Sequence, residues 1–193
     1  MRMRTVYTIG HSTHPIEKFV RLLEDRGITL VVDVRSTPYS RHCPQFNREQ
    51  LAHSLQEHGI EYAYAGRYLG GRPDKPSCYK RGVVPQEGKR GEEEQKIDYL
   101  HEVNYREVMK RAEFQQGIRQ LLELAEEHVV GIMCSEEDPA KCHRHYLIAV
   151  YLADQYPAEV EVIHIRGDGS EFPARQLPDD VPEPIQAEQK SLF

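Results

Sequence analysis

Apolar residues along this chain fall into two kinds of run, and their alternation predicts the fold. Short runs bounded by turn formers occur at residues 6–9 (VYTI), 30–34 (LVVDV), 60–65, 129–134 (VVGIMC) and 160–165. Several of them are dominated by β-branched residues. Runs of this length with little or no polar face predict strands buried on both sides. Between them lie stretches with helical spacing. Phe19, Leu22 and Leu23 form one stripe, opened by Pro15 at a first turn and closed by Gly27. Asn47 has the composition of an N-cap for a second helix through Leu51 and Leu55, which stops at Gly59. Further helices are expected over residues 93–111, 114–128 and 141–156. Strands alternating with helices predict an α/β domain, a three-layer α/β/α arrangement around a mainly parallel sheet of about five strands.

The pattern bounds one domain over residues 1–166. Residues 66–91 carry Gly and Pro throughout and show no period, so they predict a long loop, either a functional lid or a disordered segment. From residue 167 onward Pro173, Pro178, Pro182 and Pro184 interrupt an acidic stretch with few large apolar residues. That texture predicts a linker-like tail with no sixth element. No apolar run reaches the roughly 20 residues that span a bilayer. The N-terminus has no leader-like segment. Both features lead to the expectation of a cytoplasmic protein without membrane contact.

Charge sharpens this picture in one place. The chain carries a formal net charge of −6, yet residues 35–90 hold ten basic against five acidic residues. Two readings fit that segment equally: a docking surface for an anionic partner, nucleic acid or nucleotide, and a set of solvated loop charges. The tyrosines Tyr62, Tyr64, Tyr68 and Tyr79 within it can stack on bases or pack half-buried in the core. The four cysteines, Cys43, Cys78, Cys134 and Cys142, form no CxxC pair, and a disulfide framework is not expected.

Candidate chemistry gathers at the carboxyl ends of the expected strands, where ligands bind in open parallel sheets. The first strand exits into Gly10, His11 and Ser12, the second through Asp33 into Arg35, the fourth into Cys134, Ser135 and Glu136, and the fifth through His164 into Arg166. The segment CSEEDPAKCHR, residues 134–144, is densest and runs from a strand end into a helix start. Three chemistries compete for it. In the first, Arg35, Arg41 and Arg144 hold a phosphate-bearing substrate, Arg35 and Arg144 as a two-pronged clamp. Glu136, His143 or His11 then moves protons. In the second, Cys134 or Cys142 is a nucleophile activated by His143, set against the alternative, favoured for Cys142, that both are small buried residues. The spacing from Cys134 to Arg144 exceeds that of a Cys-x5-Arg phosphatase loop. In the third, Cys134, Cys142 and His143, with His11 or His145, hold a metal, although their spacing matches no standard zinc pattern. No metal ligand set is assigned on this basis, and no cofactor can be named. His53, His58, His101 and His128 lie in charged helical contexts and are expected at the surface.

Several motifs occur together in order: TIGHST (residues 8–13), DVRSTPYSR (33–41) with PQFN (44–47), YLGGRP (68–73), CSEEDPAKCHR (134–144) and a strand ending His164-Ile165. On these pieces the chain resembles the Domain of Unknown Function 488 family. The resemblance implies a common site that includes Arg35, Arg41, Asn47, Cys134, Glu136, Cys142, His143 and Arg144, and it supplies no substrate. Ser12 and Tyr39 complete the expected substrate-binding set. Separately, the terminal QKSLF resembles the peptide that docks bacterial polymerases and repair proteins on the sliding clamp, with Lys190 departing from the usual Leu. It implies a clamp partner held through Gln189, Leu192 and Phe193. The leading expectation is therefore an enzyme of nucleic-acid metabolism or DNA repair acting on a phosphate-bearing substrate. The alternatives are a non-catalytic nucleotide- or anion-binding module and a metal- or cysteine-dependent enzyme.

Overall fold

In the computed structural model, which describes residues 3–86 and 97–183, each of the five expected apolar runs contributes a strand. They are β1 (Arg4–Gly10), β2 (Leu30–Asp33), β3 (Glu61–Tyr64), β4 (Val130–Cys134) and β5 (Val160–Ile165), each parallel to its neighbours among the five. A sixth, β6 (Glu171–Pro173), pairs antiparallel with β5, and the sheet order is β3-β2-β4-β1-β5-β6. The sheet is buried at its centre, as the unbroken burial of β2 and β4 shows.

The two-residue period of the strands sorts the core into two layers. Ile9, Val31, Met133 and Ile165 pack against Phe19, Val20 and Leu23 of α1 (Ile16–Glu24) and Leu51 and Leu55 of α2 (Arg48–Glu57). Leu30, Val32, Val130, Ile132 and Val162 face the other way. Their partners include Tyr105 of α5 (Tyr105–Met109), Ile118 and Leu121 of α6 (Ala112–Glu127), and Leu152 of α7 (Val150–Gln155). Two short helices, α3 (Gly66–Leu69) and α4 (Tyr99–Glu102), sit in the connections. This is the expected α/β/α sandwich. Among the described residues, no helix is long and apolar enough to cross a membrane.

Connectivity fixes where a ligand fits. From β2 the chain leaves through α2 towards β3, on one side of the sheet; from β4 it leaves through α7 towards β5, on the other. β2 and β4 are neighbours, with Asp33 opposite Met133. Their carboxyl ends therefore diverge, and a crevice opens between them, as in other doubly wound sheets.

Four local expectations are corrected. Residues beyond 167 are not an elementless tail: a turn through Gly169, whose φ is +88°, folds them back so that Phe172 pairs with His164. The single helix expected over residues 93–111 is interrupted, because Asn104 donates its N–H to Cys78 O (2.8 Å) and its side chain caps α5. Where one regular helix was expected over 141–156, Arg144–Ala149 form a wide π-helical turn before α7. Asn47 does precede α2, but its side-chain oxygen accepts from Ser40 N–H (2.7 Å) and leaves the helix uncapped by that side chain. Lys89, Arg90 and the terminal residues Gln189, Leu192 and Phe193 lie outside the described residues.

Candidate active site

A cavity of about 640 Å³ occupies the β2/β4 crevice. Arg35, Ser36 and Thr37 line it from the exit of β2, and Cys134, Ser135 and Glu136 from the exit of β4. Cys142 and His143 form its floor, with Gly71 and Arg72 on one wall and Asp98 to His101 and Tyr105 on another. Of the residues expected from sequence to act in catalysis, Cys134, Glu136 and His143 are therefore brought together; of those expected to bind substrate, Arg35 reaches the same space.

The floor brings two buried thiols together with an imidazole. His143 Nε2 lies 3.2 Å from the carbonyl oxygen of Val34. A carbonyl only accepts, so Nε2 carries a proton, and Nδ1 is left facing the sulfurs, an acceptor from a thiol in the neutral ring and a donor to a Cys142 thiolate in the protonated one. Nδ1 points at both thiols, 3.7 Å from Cys134 Sγ and 3.9 Å from Cys142 Sγ. Gly71 permits this arrangement, since a Cβ there would strike the imidazole. The two sulfurs differ. Burial raises the pKa of Cys142, but the Cys134 thiol, the Arg144 charge and His143 outweigh it and draw the group well below the ordinary thiol range. The hydrogen bond to Cys142, with burial, pushes the Cys134 thiol up. The Arg144 N–H, 3.5 Å from Cys142 Sγ, adds a backbone donor to the more acidic sulfur.

Arg144 itself does not face the cavity. Its side chain is fully buried, with Nε on Thr8 Oγ1 (3.2 Å), one terminal nitrogen on Glu136 O and the other on Glu137 O (2.7 Å). The two-pronged clamp with Arg35 is thus replaced by a strut beneath the loop that follows β4. That loop crosses directly over Gly10, where any side chain would collide with Glu136 O. Behind Arg144 a chain of hydrogen bonds runs in one direction. His145 Nε2 donates to Pro178 O (2.9 Å), so its Nδ1 accepts from His164 Nε2 (3.0 Å), and His164 Nδ1 accepts from the Thr8 hydroxyl (2.7 Å). Burial, with the neighbouring His145 and Arg144, lowers the His164 pKa to about 3, which keeps the ring neutral as this chain requires.

Arg35 is anchored as well. It makes a bidentate ion pair with Asp33 (Nε 2.9 Å, Nη2 2.7 Å) and donates to Phe46 O (2.8 Å). Burial works against its charge, but Asp33 outweighs that and raises its pKa. Its Nη1 donates to His11 Nε2 (3.1 Å), while His11 Nδ1 donates to Ser12 O (2.8 Å). Burial lowers the His11 pKa to about 4. His11 is thereby fixed as a neutral ring stacked on Phe46 (4.4 Å), a brace for Arg35 outside the cavity wall.

Four other expected ligand-binding residues also lie away from the cavity. Ser12 holds a φ of +46°, uncommon for a residue with a side chain. Its N–H donates to Ser135 O (2.9 Å), so its work is to join the exits of β1 and β4. Asn47 shapes the loop through Ser40, and Tyr39 is exposed and bonded to Glu49 (2.8 Å). Arg41 is exposed on the same loop.

The three acidic residues after Ser135 divide their roles. Glu137 pairs with Arg166 (2.9 and 2.7 Å), a contact that lowers its pKa, and Asp138 caps Ala140 N–H (3.0 Å). Glu136 is exposed on the cavity wall, which also carries the exposed Lys141 and Arg72. Arg72 stacks over Tyr99 at 4.5 Å. His101, expected at the surface, lines the cavity and bonds to Asp98 (2.7 Å). Arg72, His101 and Tyr105 gave no sign in the sequence of belonging to the site, apart from the position of Arg72 within YLGGRP.

A family model described as Domain of unknown function DUF488 matches residues 15–151. The chain belongs to that family. The matched span contains Arg35, Cys134, Glu136, Cys142 and His143, so the cavity floor and its β2 wall are family territory; TIGHST begins before it and His164 follows it. No curated protein and no solved structure matches the chain.

Proposed function

We propose that this member of the family is an enzyme acting on a phosphate-bearing substrate of the nucleotide or nucleic-acid class in the β2/β4 crevice. The observation that carries this reading is His143, whose Nδ1 faces two cysteine sulfurs on the floor of an open cavity. Structural cysteines are ordinarily enclosed by apolar side chains. Here two of them share a histidine and border an open cavity whose wall carries charged side chains, as reactive thiols do. Lys141 and Arg72 supply positive charge at the wall for the anionic part of the substrate, and Glu136 is the exposed carboxylate available for proton transfer. This reading combines the cysteine-dependent alternative with the phosphate-handling expectation. A role in DNA repair, with clamp docking through Gln189, Leu192 and Phe193, rests on the terminal peptide alone.

The test is binding and turnover of inorganic phosphate, nucleoside mono- and diphosphates, and short single- and double-stranded DNA by the full chain. Saturable binding to at least one of these, with turnover lost in Cys142→Ser, is the expected result. Binding without turnover, unchanged by Cys142→Ser, would make the chain a binding module. No binding at low salt would remove the phosphate-bearing class altogether.

A further inference from the structure

The floor of the cavity also has the form of a metal site. We infer that Cys134 Sγ, Cys142 Sγ and His143 Nδ1 bind one borderline-soft divalent cation, zinc in the first place, with a fourth position open to the cavity. This deepens the preceding reading and rests on it for the location of the working site, but its test stands apart.

Three observations carry the inference. The three donor atoms lie within 4.8 Å of one another, two of them in buried side chains and the third at the edge of burial. Zinc–sulfur and zinc–nitrogen bonds of about 2.3 and 2.0–2.1 Å in a tetrahedron place sulfur and nitrogen roughly 3.6 Å apart, and two sulfurs about 3.8 Å apart. The observed sulfur–nitrogen separations of 3.7 and 3.9 Å need only a few tenths of an ångström of closure.

The surroundings are those of a ligand set already held in place. His143 Nε2–H donates to Val34 O (3.2 Å), the outer bond that metal-ligating histidines make and that turns Nδ1 to the ion. Arg144 N–H supports Cys142 Sγ (3.5 Å), and His145 N–H holds Cys142 O (3.1 Å). Charge also agrees: a dication neutralises two buried thiolates, which could not otherwise both be ionised so close together.

The fourth position faces a space lined by Glu136, Ser135 and Tyr105. A site with three protein ligands and an open fourth position is the arrangement of catalytic rather than structural zinc. Thiolate and imidazole together select zinc over magnesium, calcium and manganese. These three residues form one of the candidate sets in the sequence, and their spacing matches no standard zinc pattern because Cys134 and Cys142 approach through the folding back of residues 135–141, not through a short knuckle.

The experiment uses the full chain, reduced and stripped of metal with a chelator. Zinc affinity and stoichiometry are measured against a chromogenic competitor, and cobalt(II) serves as a spectroscopic substitute. One equivalent of zinc is expected, with thiolate-to-cobalt charge-transfer absorption and tetrahedral ligand-field bands. Cys134→Ser, Cys142→Ser and His143→Gln should each weaken zinc binding by at least about a hundredfold, the upper end of what loss of an outer-shell partner costs. Cys43→Ala, outside the cavity, should bind as the parent does. Circular dichroism of each variant separates loss of a ligand from loss of fold. Cobalt bands that persist in a folded Cys142→Ser variant would overturn the inference, as would absence of thiolate bands in the parent. If zinc fails to bind while Cys142→Ser still abolishes turnover, the metal site falls and the proposed function stands. If zinc binds as described but no phosphate-bearing compound does, the metal site stands and the proposed function falls.

Discussion

Two buried polar clusters meet at the carboxyl ends of the central strands, joined through Arg144, and they differ in how completely their hydrogen bonds are used. In the first, Arg144, Thr8, His164 and His145 form a directed chain that ends on Pro178 O, with donors matched to acceptors at each step. In the second, Cys134, Cys142 and His143 turn an imidazole nitrogen and two sulfurs towards each other and towards a cavity. Every side-chain nitrogen and hydroxyl of the first cluster has a partner, away from the cavity, whereas the second has unused coordinating capacity beside open space. Buried ionisable groups are therefore not equivalent indicators of function: satisfaction, not burial, separates the scaffold from the site.

The largest effect expected from breaking the comparison is on the closed cluster. Arg144→Ala leaves Thr8 Oγ1, Glu136 O and Glu137 O without their buried donor and should cost about 3–5 kcal/mol, read as a shift in urea denaturation. Arg144→Lys should recover less than half of that, because one ammonium cannot span the three acceptors.

Acid should weaken the protein next most strongly. The folded pKa values of His11 and His164, about 4 and about 3, both lie below the ordinary 6.5. The unfolded chain then binds more protons than the folded one below pH 6.5. Stability from these rings is fully present above that pH and is lost as the pH falls towards 3. Each unit of difference corresponds to about 1.4 kcal/mol, so the combined loss should reach several kcal/mol. Urea unfolding measured between pH 7 and pH 4 checks this, and a His164→Gln variant should show a shallower fall.

The open cluster should respond in the opposite way. Cys142→Ser is expected to change stability by only about 1 kcal/mol while abolishing activity. A loss as large as that of Arg144→Ala, in the same denaturation assay, would make the floor part of the scaffold. The smallest structural effect belongs to the wall. Lys141→Glu should leave stability within about 0.5 kcal/mol of the parent and weaken binding of single-stranded DNA, with a salt slope lowered by about one or more.

The strands and the three-layer arrangement were legible because the apolar period is a local property. Residues 6–9, 30–34 and 129–134 carry it plainly, and strand ends then located the site to within one loop. What could not be read was which polar side chains remain available. Arg144 looked like an anion ligand, but its fate is set by Thr8, which lies 136 positions away in the sequence. His11 looked like a proton carrier, yet its ring is braced between Arg35 and Ser12 O. Conversely, His101 looked superficial until the stretch around Asn104 folded it over the crevice. Strand β6 escaped because three residues with a proline carry too little periodicity to be seen.

The most direct test of the central claim uses the four cysteines of one molecule. All are buried, but only Cys134 and Cys142 line the cavity. Alkylation rates at each are measured by mass spectrometry on metal-free, reduced protein, with and without a nucleoside monophosphate. Selective protection of Cys134 and Cys142 by the nucleotide, with Cys43 and Cys78 unchanged, is the result predicted here. Equal rates with and without nucleotide at all four positions would contradict it.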